Sequence, residues 1–363
     1  MRYRPTVAIV DLDAIRENVR ALRPAAAGLM AVVKANAYGH GAVPVARVAL
    51  EAGAAWLGVA LVEEGVALRE AGIEAPILVL TEFPPGSEKE ALAGELTPTL
   101  YTEAGLHALA EAARHLGRTA RAHVKLDTGM HRVGLPVAEA ETFCAAVLDA
   151  GVQIEGVWTH FAKADEPEDG SAHRQLTTYL EALERLRAAG IEPTIRHAAN
   201  SAATLAFPES HLDLVRVGIA MYGLDPSPEV RANLRPAMSL RSRVGLTKRV
   251  AAGEALSYGL RYRLDRESTI ATIPVGYADG YARGLSTAGR VAINGKRYPV
   301  AGTVTMDQLL VDCGDDPVTP GDEVVLFGED PTADEVGAWY GTIGYEVVCA
   351  VSERVPREYR GAA

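Results

Sequence analysis

Two hydrophobic periods alternate along the first two thirds of the chain. Short apolar runs recur: "LMAVVK" (29–34), "WLGVAL" (56–61), "PILVL" (76–80), "LTPTLY" (96–101), "AHVKLD" (122–127), "IEGVWTHF" (154–161), "TIRHAAN" (194–200) and "LVRVGIAMYG" (214–223). Between them lie alanine- and leucine-rich segments of helical period, such as "VEEGVALREAG" and "RQLTTYLEALERLRAAG". The second ends on Gly190, a residue suited to close a helix. Eight strands, each followed by a helix or a shorter turn, predict an α/β fold, a (β/α)8 TIM-like barrel of roughly 200 residues or more. A doubly wound open sheet is the alternative, but no glycine-rich dinucleotide fingerprint follows the first run.

The pattern changes near Leu234. "LRSRVGLTKRV", "STIATIPVG", "VAINGKRYPVAG" and "EVVLFG" are β-rich, and Asn294-Gly295 is a two-residue hairpin signal. We therefore expect a barrel domain over residues 1–233 and a mostly β domain over 234–363, with one helix around Thr332 to Tyr340. The short run at residues 6–10 is a candidate to pack with the β domain.

Composition narrows the function classes. With 48% hydrophobic and 23% charged residues, the chain reads as a soluble globular protein. A net charge of −11 argues against general attraction to nucleic acid or anionic membrane. Cys144, Cys313 and Cys349 are odd in number and widely spaced, which fits neither a zinc pattern nor a disulfide framework. Asp11 and Asp13 stand where a signal peptide would be apolar, and no run approaches the ~20 apolar residues of a membrane span. A cytoplasmic setting is expected.

Only six of the 36 basic residues are lysine, so Lys34 at the end of "AVVK" stands out. Side chains alternate across a strand. In "AHVKLD", Ala122, Val124 and Leu126 suit the helix-facing side, which leaves His123, Lys125 and Asp127 inside. By the same parity Trp158 pairs with His160, and Leu214 with Arg216 and Gly218. Lys34, Lys125, His160 and Arg216 all fall toward strand C-termini, where barrel enzymes build their sites. A single strand-end cation usually snorkels to water or pairs with a carboxylate. Four at one mouth repel one another unless an anion sits among them. A phosphorylated cofactor and a carboxylate substrate would supply it. A desolvated lysine among like charges becomes a nucleophilic amine suited to a Schiff base.

Nine strings carry a family resemblance: "AVVKANAYGHG", "KLDTGMHRVG", "GVWTHFAKAD", "AANSAATL", "VRVGIAMYG", "SYGLRY", "VGYADGY", "GTVTMDQ" and "TIGYEVVC". In order and rough spacing the chain resembles the alanine racemases over nearly its whole length. That resemblance implies a pyridoxal 5′-phosphate (PLP) enzyme with an N-terminal barrel and a C-terminal β domain. It would interconvert L- and D-alanine, supply D-alanine for peptidoglycan, and work as a homodimer with shared sites.

The resemblance also implies residue roles. Lys34 would hold PLP as an imine and act as one base; Tyr258 would be the opposite base. Arg216 would face the pyridine nitrogen, and since a guanidinium cannot accept a proton the ring would stay unprotonated. His160 would link Arg216 toward the catalytic tyrosine. Tyr38, Ser201 and Tyr345 match phosphate-binding hydroxyls, Gly218 and Ile219 match backbone N–H donors, and Asn200 lies in the same loop. Arg132 would contact the phenolic oxygen of PLP and the substrate carboxylate. Met306 would hold that carboxylate through its backbone N–H, Tyr277 would line the entrance, and Asp307 lies near this wall. Lys125 matches a lysine that is carbamylated in many members. Thr305, His131 and Gly344 depart from the commoner cysteine, smaller residue and asparagine, which leaves the choice between alanine and serine open. Two other readings share the barrel. A basic amino-acid decarboxylase favours a carboxylate at the ring nitrogen, against Arg216 in "VRVG". A non-catalytic PLP-binding protein lacks the β domain and hence Tyr258.

Overall fold

The computed structural model describes residues 4–361. Within them the chain divides into two compact units. One contains Ile15–Ala37 and Ala42–Leu234; the other contains residues up to Ala14, Tyr38–Gly41 and Arg235 onward.

The first unit is the barrel. Its strands are Gly28–Val32, Trp56–Val59, Ile77–Val79, Leu96–Thr97 continued by Thr99–Leu100, Arg121–Asp127, Gln153–Trp158, Ile195–His197 and Leu214–Val217. Neighbours pair in parallel, and Leu214–Val217 returns to Gly28–Val32, which closes the ring. Pro98 divides the fourth strand, because it has no N–H to give the ladder. Its carbonyl still accepts from His123 N (2.9 Å). Where the seventh and eighth strands meet, Asp213 N bonds Arg196 O and Arg216 N bonds Ala199 O. Met30, Trp56, Leu78 and Leu214 pack together from strands one, two, three and eight. Burying each contributes about 1.5–3 kcal/mol.

Several strands end sooner than the apolar runs suggest. "LMAVVK" is strand only to Val32, "IEGVWTHF" to Trp158 and "LVRVGIAMYG" to Val217. Beyond those points the backbone turns away to form the mouth, where apolar Val33, Phe161 and Ile219 stay buried beside polar Lys34, Thr159 and His160. The long helix Ser171–Ala188 is followed by Gly190 at φ 79°, a left-handed value that glycine adopts without cost.

The second unit is mostly antiparallel β. A six-stranded sheet runs Lys296–Pro299, Arg290–Ile293, Glu323–Phe327, Met238–Arg243, Val7–Asp11 and Arg357–Arg360. The N-terminal strand thus lies inside this sheet, antiparallel to Met238–Arg243 and parallel to Arg357–Arg360. Asn294 and Gly295 take φ 50° and 80° between paired strands, as a tight hairpin turn requires. The helix Ala333–Trp339 begins with Thr332 and Glu335 capping each other's backbone N–H groups. A second helix, Gly344–Cys349, carries Tyr345. Its six residues are too few to show a period in the sequence.

Candidate active site

The first barrel strand runs into a left-handed turn. Ala35, Asn36, Ala37 and Tyr38 have φ between 52° and 54°. For residues with a Cβ this conformation costs roughly 1–2 kcal/mol each. Such strain persists only where the surroundings impose it. Glu64 does so here: its carboxylate accepts from Ala35 N (2.6 Å), Ala60 N (2.8 Å) and Leu61 N (3.1 Å). Asn36 Oδ1 accepts from Ala42 N at 2.8 Å. Glu64 escaped the reading of the sequence because it looks like an ordinary first-turn helix carboxylate. Glu64→Gln replaces one acceptor oxygen with a donor facing a donor. We expect it to lower the activity of the site about tenfold, the size of one lost charge-assisted bond. An unchanged activity would show that the turn holds itself.

The inward parity of the middle strands is realised. Lys125 Nζ lies 4.4 Å and Arg216 Cζ 4.7 Å from the centre of the Trp158 ring. That ring stacks on His197 at 5.5 Å and 11°. Arg216 is 3% exposed and donates to Thr159 O (2.8 Å), Ala198 O (2.9 Å), His160 Nδ1 (3.2 Å) and His197 Nδ1 (3.1 Å). Burial pushes the guanidinium down to about 9, still cationic at neutral pH.

The charges converge as the strand ends suggested. Burial, followed by Arg216, Lys125, Arg132 and Lys34, holds His160 well below the usual imidazole range, so it is neutral. Burial and then Arg216 and Arg132 bring Lys125 down to about 7; Lys34 adds to this and Asp127 opposes it. Asp127 also shapes the loop that carries Arg132, accepting from Gly129 N, Met130 N and His131 N at 3.0–3.1 Å. Burial works against its charge, but these bonds prevail and keep its carboxyl below the usual range. His131 stands outward with its side chain largely in solvent.

Asn200 caps the helix Ser201–Ala206 through Ala203 N (3.0 Å). Buried Ser201 Oγ accepts from Gly218 N (2.9 Å), which ties the loops after strands seven and eight together beside Ile219. Barrel enzymes commonly bind phosphate at this place.

The β unit gathers its own set. Tyr258 lies in a strained turn between Ser257 (φ 59°) and Gly259 (φ 77°), and its carbonyl accepts from Thr303 Oγ1 at 2.7 Å. Tyr277 N donates to Thr305 O and Ala278 N to Met306 O. Gly276 permits this approach, since a Cβ there would lie 2.2 Å from Thr305 O. Thr305 Oγ1 bonds Gln308 at both its O and N, so the departure at this position closes the turn that presents Met306. Asp307 pairs with Arg354 at 2.8 Å. The Tyr38 and Tyr345 rings lie 6.3 Å apart, and burial raises the Tyr38 phenol above its ordinary range, with Cys349 adding to the effect. Tyr258, Tyr277 and Met306 are 75%, 42% and 51% exposed.

An eight-stranded barrel with a basic mouth, joined in one chain to a β unit, defines a class of enzymes that act on small anionic molecules. Two family models divide this chain: alanine racemase, N-terminal domain, matches residues 10–226, and alanine racemase, C-terminal domain, matches 237–359. An alanine racemase of Symbiobacterium thermophilum is 53% identical over 99% of this chain and 98% of its own length. One of Frankia casuarinae is 47% identical over 97% of this chain and 95% of its own. The crystal structure of alanine racemase from D-cycloserine-producing Streptomyces lavendulae superposes with a TM-score of 0.97 at 44% identity, over 100% of this chain and 99% of that one. The chain belongs to the alanine racemase family: it is an isomerase that interconverts L- and D-alanine.

Proposed function

We propose that this racemase uses PLP, bound at the barrel mouth through Lys34, in a two-base reaction. The carrying observation is the group of cations, Lys34, Lys125, Arg132 and Arg216, of which the other three depress Lys125 and all four depress His160. Such a group calls for an anion, and a phosphorylated cofactor with a carboxylate substrate fits it. When bound, PLP supplies an electron sink that acidifies the α-hydrogen.

The protein's residues do the rest. Once the substrate amine has displaced Lys34 from the cofactor, the freed lysine would remove or return the proton on one face of the α-carbon, and Tyr258 would do so on the other. Arg216 donates toward the ring nitrogen and gives it no proton, so negative charge on the α-carbon stays short-lived. Arg132 and the Met306 backbone orient the substrate carboxylate, and Tyr277 and Asp307 line its approach. Tyr38, Ser201 and Tyr345 with the backbone of Gly218 and Ile219 hold the phosphate; Asn200 keeps the Ser201 loop in shape. The exposed β-unit residues Tyr258, Tyr277 and Met306 are covered by a second copy of the chain in a homodimer with shared sites. The enzyme works in the cytoplasm and supplies D-alanine for peptidoglycan; no helix among the described residues is long and apolar enough to cross a membrane. The test is borohydride reduction of the purified protein followed by peptide mapping. The pyridoxyl group should be found on the Lys34 peptide; a label on Lys125 would overturn the assignment.

Lys125 is a candidate for carbamylation, since an amine brought down to about 7 is about half neutral at neutral pH and in that form reactive toward CO2. Its unfolded value is 10.5. Between pH ~7 and ~10 the unfolded chain binds the extra proton, so stability rises with pH through that window, and below 7 the penalty is complete. A carbamate would remove this slope and place an anion beside Arg132. At pH 7.5, bicarbonate should raise the melting temperature over CO2-free buffer, and Lys125→Met should abolish the difference. Equal melting temperatures for the unsubstituted protein would reject the carbamate.

A further inference from the structure

Among the described residues no carboxylate bonds Arg216, although its guanidinium is buried. A buried cation without a counter-ion is costly. The hydrogen bonds behind it lead to one. A guanidinium only donates, so His197 Nδ1, 3.1 Å from Arg216 Nη1, must be bare. Burial, Arg216 and His123 hold His197 well below the usual imidazole range, so the ring is neutral and its proton sits on Nε2. That atom lies 2.8 Å from His123 Nδ1 and donates to it. Burial likewise keeps His123 neutral, with its proton on Nε2. His123 Nε2, which has no hydrogen-bond partner among the described residues, faces Glu155 Oε2 at 3.7 Å, beyond hydrogen-bond length, so the carboxylate acts on it through its charge.

The backbone makes room for this arrangement. Gly156 is the cross-strand partner of His123, and a Cβ there would lie 2.5 Å from His123 Nδ1. Strands five, six, seven and eight thus each contribute one member: His123, Glu155, His197 and Arg216.

We infer that Glu155 is the remote counter-ion of Arg216, and that His123 and His197 are positioning residues that carry its influence through the barrel as a file of donors all pointing away from Arg216. No proton has to move. The Glu155 charge polarises the His123 ring, and the bond that His197 donates to His123 makes His197 Nδ1 a stronger acceptor for the guanidinium. Arg216 is thereby gripped in one orientation. Arg121, 3.7 Å from Glu155 Oε1, competes for the same carboxylate from outside the file. The inference rests on the place given to Arg216 in the proposed site, but the proton positions stand or fall independently of that role.

Neutron diffraction from deuterium-exchanged crystals of the whole enzyme reads those positions. Deuterium is expected on Nε2 of both His123 and His197, and on Nδ1 of neither. A deuteron on either Nδ1 overturns the file. Kinetics test its consequence. Glu155→Gln keeps the shape and removes the charge; His123→Asn keeps an acceptor toward His197 but cannot reach Glu155. Each should lower racemase kcat about three- to tenfold, with the KM for alanine changed less than about twofold. The double variant should be no worse than the more damaged single one, because both cut the same file. An unchanged kcat in Glu155→Gln, or losses that multiply in the double variant, would reject the inference.

Discussion

Mixing Lys34→Ala and Tyr258→Phe subunits should restore racemisation that neither homodimer supports. Lys34 belongs to the barrel unit and Tyr258 to the β unit. A proton acceptor must come within hydrogen-bond reach of the atom it serves, so two bases must flank one α-carbon at close range. Among the described residues Tyr258 is the most exposed large hydrophobic side chain of the β unit, and Leu260 beside it is 65% exposed. An exposed group of this kind is the signature of a surface that another molecule covers. If that molecule is a second copy, each site takes its lysine from one subunit and its tyrosine from the other. A mixed dimer then has one site with both bases and one with neither. Random two-fold pairing of equal amounts should recover about a quarter of the activity of unsubstituted enzyme. The measurement is a racemisation assay before and after subunit exchange, with exchange verified by mass-tagged chains. Absence of recovery after verified exchange would place both bases in one chain.

Arg216→Glu is expected to reduce racemisation by about 100-fold or more, the usual effect of removing a preorganised donor from an active site. The structure makes this substitution severe. Thr159 O, Ala198 O, His160 Nδ1 and His197 Nδ1 all accept from the guanidinium, and a carboxylate offers them nothing. Both imidazoles would have to change tautomer or gain a proton. With PLP in place, a glutamate at this position would protonate the ring nitrogen, so a new long-wavelength absorption band should appear with alanine. Far-ultraviolet circular dichroism separates this effect from unfolding, which would remove the folded protein's signal. A folded, cofactor-bearing variant that racemises at the unsubstituted rate would remove Arg216 from the mechanism.

Much of the barrel was legible because its signals are local. The eight apolar runs of "LMAVVK" to "LVRVGIAMYG" and the helical segments between them follow from side-chain periodicity. Alternation across "AHVKLD" alone placed His123 and Lys125 inside, where they are found. Asn294-Gly295 marked its hairpin because few residues accept two positive φ values in succession. The concentration of cations at strand ends was likewise readable, since each sits at a known parity on its own strand.

Other features depend on atoms brought together from distant strands. Nothing in "KANAY" announces four left-handed residues; that turn exists because Glu64, on a later helix, takes the N–H of Ala35. His197 looked like one more polar residue in "TIRHAAN", and its partners came only with closure of the ring, which set it between His123 and Arg216. The N-terminal strand's partners, Met238–Arg243 and Arg357–Arg360, lie more than 200 residues further along the chain. Periodicity tells which face of a strand a residue occupies, and so the sequence by itself determined the succession of barrel strands and the inward positions of those such as "AHVKLD". Which inward atoms meet depends on how the strands are staggered around the barrel, and that is a property of the closed structure alone.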